Sequence, residues 1–358
     1  MGRVAIRLLV GPVFVTATAW GAAAIAIDGP DSPLLAYSAA TAFVLSAIAC
    51  RFAIRPIERS AVIFSVLLTA LLGWWLSISP SSEREWQPDV ARSPTAHFHR
   101  DGNRVTVRNV RNFHYRSETD YDEIWEERSY DLSKLRGMDM FLSYWGSPHM
   151  AHTVASWEFE NDEHLAISIE TRKERGESYS AVLGFFRQFE LYYVVADERD
   201  VIRLRTDYRA EDVYLYRLRL TADQARQLLV DYLDEVNHLA REPVWYNALT
   251  HNCTTTIRLH MQHVGIHNPL RWQLFANGHL DELAYARGQI DTSLPFEQIR
   301  ARSYISPVAR AMSESEDYST GIRRNLPDPR PVTVLEQRDS RVHQGRAPAT
   351  KRARAGLR

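Results

Sequence analysis

Cysteine is almost missing from this chain: 358 residues carry two, Cys50 and Cys253. No disulfide framework and no cysteine cluster for a metal is available from so few thiols. An excess of base is missing too. Lys and Arg number 43 against 44 Asp and Glu, a formal net charge of -1 that gives no global sign of nucleic-acid binding. There is no phosphate-binding glycine loop and no internal repeat. Charge itself is scarce before residue 83, and nearly all of it follows that point.

What fills the charge-poor part is three apolar stretches, between Arg7 and Asp28, Asp31 and Arg51, and Arg59 and Glu83. Each holds about 20 residues, enough as a helix to cross a hydrocarbon core of roughly 30 Å. Gly11, Pro12 and Gly73 are tolerable there, because membrane helices accept helix breakers. A buried helical hairpin is the soluble alternative. A cleaved signal peptide is an alternative for the first stretch, where Arg3 and Arg7 precede the apolar run, but two further spans argue for an anchor. The first connection, Asp28 to Ser32, has two acids and no base, whereas the second carries Arg51, Arg55 and Arg59 against Glu58. The positive-inside rule therefore expects a cytoplasmic N-terminus and an exported chain from about Glu83. Residues 1–82 read as an anchor, 83–322 as one exported domain, and 323–358 as a disordered basic tail with Pro327, Pro329 and Pro331 at its start.

Cys50 lies at the cytoplasmic end of the second span, which leaves Cys253 as the exported domain's lone thiol. Polar residues ending in Asn252 lead into Ile257, Met261 and Val264 at helical spacing, so Cys253 is expected at a helix N-terminus. There the unpaired amides and the helix dipole favour the thiolate. A thiol nucleophile also needs a base, normally histidine. His149 and His152 follow the turn Gly146–Pro148, and residues 152–159 and 164–170 read as an antiparallel hairpin. A two-residue loop would put Glu170 on the face away from His152. An odd-length loop would put it on the same face, able to orient the imidazole.

Several short motifs complete the pattern: Trp125-Glu-Glu-Arg-Ser-Tyr130, Ala151-His-Thr153, Ser168-Ile-Glu-Thr-Arg172, Asp197-Glu-Arg-Asp200, and Tyr246-Asn247 followed by Asn252-Cys-Thr254. With these, the stretch from Trp86 to about His263 resembles the Lnb N-terminal periplasmic domain family. The resemblance implies an α+β, permuted papain-like fold similar to NlpC/P60 proteins, here preceded by three transmembrane helices. It also implies acyl transfer through a cysteine thioester to exported lipoproteins, with Cys253 as nucleophile, His152 as base, Glu170 as its orienter and Asn252 beside the oxyanion. Phospholipid or lipoprotein is then the substrate, and the inner membrane of a bacterium the location. A lipase, a cell-wall peptidase and a non-enzymatic envelope protein are the alternatives. The acyltransferases of this family carry spans after the thiol domain, whereas the spans here precede it, so chemistry transfers better than substrate.

No cofactor is expected. The pairs His149/His152 and His260/His263 have metal-ligand spacing but no acidic partner nearby in sequence, so no metal is expected either. His260, seven residues after Cys253, shares its helical face and reads as packing. The charged run 170–177 reads as a solvated strand end, though Glu170 and Arg172 could line a site. The acids of 197–200 read as structural partners for an arginine, and residues 222–240 as a core helix.

Overall fold

The computed structural model describes residues 2–267 and 276–330. Three helices come first: α1 (Gly2–Asp28), α2 (Pro33–Ala53) and α3 (Ile57–Ser77). All three are long and apolar enough to cross a membrane. The 21 residues of α2 and of α3 rise about 31 Å, close to the hydrocarbon thickness. Small residues let them approach: Ala36, Ala40 and Ala47 are the buried side of α2. A Cβ on Gly21 would meet Phe43 and Leu71 within 2.7 Å, so a larger residue where α1 touches both neighbours would displace those side chains.

The strands that follow are β1 (Thr95–Phe98), β2 (Arg104–Arg111), β3 (His114–Tyr115), β4 (Tyr121–Asp122), β5 (Trp125–Asp131), β6 (Leu135–Tyr144), β7 (Ala151–Phe159), β8 (His164–Arg172), β9 (Glu190–Ala196) and β10 (Asp212–Arg217). Eight of them form one sheet in the order β1-β2-β9-β8-β7-β6-β10, with β5 on the other side of β2. All pairs are antiparallel except the contact of Arg111 with Ala196, which is parallel. The helices are α4 (Glu198–Arg203), continued by a π-helical turn over Leu204–Tyr208, α5 (Ala222–Arg241), α6 (Cys253–His263), α7 (Leu280–Ala286), α8 (Phe296–Ser303), α9 (Ser306–Ala311) and α10 (Tyr318–Gly321). A mixed architecture of one sheet with helices on both faces results, as expected for the α+β class.

Side-chain alternation assigns the faces. Ala151, Ala155, Trp157 and Phe159 of β7 and Leu165, Ile167 and Ile169 of β8 share a core with Leu228, Leu229, Tyr232 and Leu233 of α5. Val154, Ala166, Val194 and Leu215 point the other way, to Val201 and Ile202 of α4 and to Ala309, Tyr318 and Ile322. The core helix expected at 222–240 is thus α5, started by a reciprocal Thr221–Gln224 capping box and held to the sheet by the Trp157 indole bonding the Ala225 carbonyl.

The basic tail expected from residue 323 starts later than that. Arg323 is buried, donating to Asp139 at 2.7 Å and to both oxygens of Glu198, and Arg330 donates to Glu158 at 2.9 Å. Proline spacing suggested a break here, but buried carboxylates on β6, β7 and α4 recruit these arginines as partners. The remaining tail, 331–358, lies outside the described residues. Arg172 also departs from the solvated reading: it is buried under Trp86, 4.3 Å from the ring centre, and donates to the Val90 and Ala91 carbonyls.

The spans are joined to the domain by specific contacts. Asp28, ending α1, accepts from the Trp75 indole of α3 at 2.6 Å and from the Arg187 backbone amide at 3.1 Å. The Ile78 carbonyl, just past α3, accepts from Arg187 at 2.8 Å and from the Trp245 indole at 3.1 Å. The ends of α1 and α3 therefore meet the same side of the domain.

Candidate active site

Cys253 is the first residue of α6. Asn252 caps that helix: its Oδ1 accepts from the Thr255 amide at 2.9 Å, while the Thr255 hydroxyl accepts from the Asn252 amide at 3.0 Å. Its Nδ2 donates to the Ala248 carbonyl at 2.7 Å. The Asn252 side chain is thus engaged in building the turn that presents the thiol, not turned toward it as the oxyanion role would require. The helix-terminus argument for a thiolate is outweighed as well. Burial pushes the Cys253 thiol up, and the Glu170 charge adds to this, against the lowering effect of hydrogen bonds at Thr254. Cys253 is a thiol in the unliganded protein and needs a base.

The hairpin of β7 and β8 turns through three residues, Glu160–Asp162, with Asn161 and Asp162 both at positive φ. An odd loop puts Glu170 on the face of His152. Ser168 joins them, and the three form a chain. The Ser168 hydroxyl donates to Glu170 Oε1 at 2.8 Å, so its oxygen accepts from His152 Nε2 at 2.6 Å. This fixes the imidazole with its proton on Nε2 and leaves Nδ1, which has no partner among the described residues, as the basic nitrogen.

Arg205, from the π-helical turn, completes the group at 3.1 Å from Glu170 and 3.4 Å from Glu211, and Ser143 bonds the same Glu211. Burial alone would raise the Glu170 carboxyl, but His152 and Arg205 hold it well below the usual carboxylate range. Burial first and the Arg205 charge second pull His152 down to about 3, with Glu170 opposing. The ring is therefore neutral, and a weaker base than an ordinary imidazole until substrate changes its surroundings.

The structure brings His152 and Glu170 together, and likewise Cys253 and Asn252, but no hydrogen bond joins His152 to Cys253. Alternation sends the imidazole to the face of Val154 and Ala166, whereas α6 packs with Ala151 and Ala155. The two groups share one end of the sheet, where α6 packs on β7 and β8. Between them sits Asn277, unforeseen from sequence. Its Oδ1 accepts the Ala151 amide at 2.9 Å, and its Nδ2 lies 3.2 Å from Thr254 Oγ1 and 4.0 Å from Cys253 Sγ. Gly278 allows this approach, because a Cβ there would fall 2.3 Å from the Pro148 carbonyl oxygen. Ser168 was legible by its alternation with Glu170; Arg205 and Asn277 carry no local signal.

The other histidines have separate partners. His149 bonds His279 at 3.0 Å, not His152. His260 and His263 both bond Asp231 of α5, and His260 is buried, stacked on Tyr232 and bonded to Tyr193 at 2.8 Å. The acidic partner absent from the local sequence is supplied by the neighbouring helix. These three residues bring ligand atoms within 4.8 Å of one another, with both rings spending Nδ1 on the carboxylate. Beside α6 lies an apolar cavity of about 70 Å³, lined by Met140, Leu218, Ile257, Met261, Thr153 and Tyr232. The buried hydroxyls of Thr153 and Tyr232 have no hydrogen-bond partner among the described residues.

The acids of 197–200 are structural. Asp200 holds buried Arg111 at 2.7 Å, Asp197 holds Arg128 at 2.8 Å, and Glu198 holds Arg323.

Fold and site together describe a cysteine at a helix N-terminus, set at the end of a mostly antiparallel sheet beside a buried Glu–Ser–His chain, on a domain tied to three candidate spans. Residues 121–278 match the family model of the Lnb N-terminal periplasmic domain. The match starts later than Trp86 and extends past His263, taking in Asn277. The protein is accordingly membrane-anchored with a periplasmic domain. Neither a curated protein nor a solved structure gives a significant match.

Proposed function

We propose that the protein is a cysteine acyltransferase of the bacterial inner membrane, with a cytoplasmic N-terminus, that moves an acyl group from phospholipid to the amine of an exported lipoprotein. Cys253 Sγ attacks the ester carbonyl, and its proton passes to His152 Nδ1. The carbon–oxygen bond to the glycerol breaks, the proton goes to the departing alkoxide, and a thioester remains on Cys253. The lipoprotein amine then attacks that carbonyl, the carbon–sulfur bond breaks, and the amine's proton returns the thiol. Free amides at the start of α6 receive the oxyanion in both steps. In this reading Nδ1 meets the thiol only in the substrate complex, with Nε2 still bonded to Ser168, since catalytic hydrogen bonds often form only in the complex.

The observation that carries the reading is the placement of Cys253 on the first turn of α6, beside an apolar cavity, on a loop that also bonds the end of α3 through Trp245. A cavity lined mainly by apolar side chains, with Thr153, Tyr232, Thr254, Arg258 and Gln289 among them, suits the start of an acyl chain and its ester. Anchorage raises the local concentration of lipid-borne substrates at the thiol. The test is mass spectrometry of lipoprotein N-termini and phospholipids from cells with and without the protein. N-acylation that depends on it supports transfer. Lysophospholipid without N-acylation indicates a lipase, and altered muropeptides a peptidase; either result overturns the transferase reading.

A further inference from the structure

We propose that the loop Tyr179–Gln188, together with Leu249, is a bilayer-docking surface whose apolar side chains enter the lipid leaflet where α1 and α3 leave the membrane. Four exposed apolar residues lie there, including the two most exposed outside the spans: Val182 is 64% exposed, Leu249 54%, Tyr179 46% and Phe185 40%. They form one rim, because the Ala248 amide bonds the Gly184 carbonyl at 2.7 Å and ties the two loops together. A rim of this kind on a folded domain marks an interaction site.

Continuity with the spans identifies the occupant. Arg187 and Gln188, at the end of this loop, bond Asp28 and the Ile27 and Ile78 carbonyls, which are the ends of the membrane helices. Val182 is five residues from Arg187 and so lies at most about 18 Å from it. The Arg187 guanidinium sits 4.5 Å from the Trp75 ring centre and 6.0 Å from that of Trp245, giving these helix ends the aromatic and basic girdle of a membrane interface. A lipid surface is present wherever the spans end, so no further partner has to be supplied. The Asn252 amide bonds the Ala248 carbonyl, so the same rim carries Cys253 at the lipid surface. The inference rests on the spans and the rim, not on the chemistry of the thiol.

The test places an environment-sensitive fluorophore on single cysteines introduced by Val182→Cys, Phe185→Cys or Leu249→Cys into the full chain with Cys50→Ser and Cys253→Ser. The protein is reconstituted in phosphatidylethanolamine–phosphatidylglycerol vesicles. Asp223→Cys is the control. It is exposed at the far end of the 20-residue helix α5, about 30 Å from the end that leads to Trp245. The expected result is a blue-shifted emission at 182, 185 and 249 that is quenched by lipid carrying a nitroxide in its upper acyl chain, with neither effect at 223. Emission at the three rim positions matching that at 223 would overturn the proposal. So would a blue shift that lipid nitroxide fails to quench, which would mean a protein partner or a second copy covers the rim.

Discussion

Arg323→Met tests how the domain is held together beyond its family-matched part. Arg323 is 6% exposed and lies between two carboxylates, Asp139 at 2.7 Å and Glu198 at 2.5 Å. Methionine replaces much of the packing but removes the main cation from both acids, leaving Asp139 with Arg217 at 3.6 Å and Glu198 with the Ser156 hydroxyl at 2.6 Å. Removing one partner of a buried pair costs about 3–5 kcal/mol. With a urea dependence of ~3 kcal/mol per molar for a domain of this size, the unfolding midpoint should fall by roughly 1–2 M. The pH dependence supplies a second check. Burial acts to raise Glu198, but Arg323 outweighs it and holds the folded pKa at about 2, against about 4.3 unfolded. A depressed acid contributes stability above its unfolded pKa and loses it as pH falls toward the folded one. In the variant burial is opposed only by His164 and the Ser156 hydrogen bond, so the folded pKa rises and protonation relieves the strain. The stability gap between wild type and variant should therefore be widest near pH 7 and narrow toward pH 3. Tryptophan fluorescence of the full chain in detergent, titrated with urea at both pH values, measures this. A midpoint shift below about 0.3 M at pH 7, or a gap that widens in acid, would refute the reasoning.

Glu170→Gln removes a charge that raises the Cys253 thiol, so the pH midpoint for Cys253 alkylation should move down; an unchanged or higher midpoint would show that the carboxylate does not act on the thiol. Ser168→Ala breaks the chain that fixes the His152 proton on Nε2, and should lose part of the roughly 10²–10⁴-fold contribution of a general base. That loss should fall on the acylation rate and its pH profile, with substrate binding unchanged. A reporter active only outside the cytoplasm should work when fused after residue 83 and fail in the 51–59 loop, and the reverse pattern would invert the topology.

Much of this was readable from local pattern. Three charge-free runs between Arg7 and Glu83 have the length of a span, and α5 shows its apolar stripe from Ala225 to Val236. Asn252 before Cys253 marks a helix start because its side chain satisfies an amide the helix cannot. The face of Glu170 was not readable, since it depends on whether Asn161 and Asp162 both adopt positive φ and make the turn three residues long. The insertion of β9 between β2 and β8 is a long-range pairing with no local signature. The same is true of Arg205, Asn277 and Arg323, which reach their partners across 24 to 184 residues or from an irregular turn. Strand alternation was legible but its consequence was not: it carries His152 to the face away from α6, so the pairing of imidazole and thiol depends on tertiary detail at the sheet's end.

The central claim is a thioester on Cys253 formed with the help of His152. Intact-protein mass spectrometry after incubation with phospholipid vesicles tests it most directly. Wild type and His149→Ala should carry an acyl adduct that maps to Cys253 and is released by hydroxylamine, whereas His152→Ala and Cys253→Ser should carry none. An adduct that persists in Cys253→Ser would contradict the assignment of the nucleophile. An adduct present in His152→Ala and absent in His149→Ala would move the base to the His149–His279 pair.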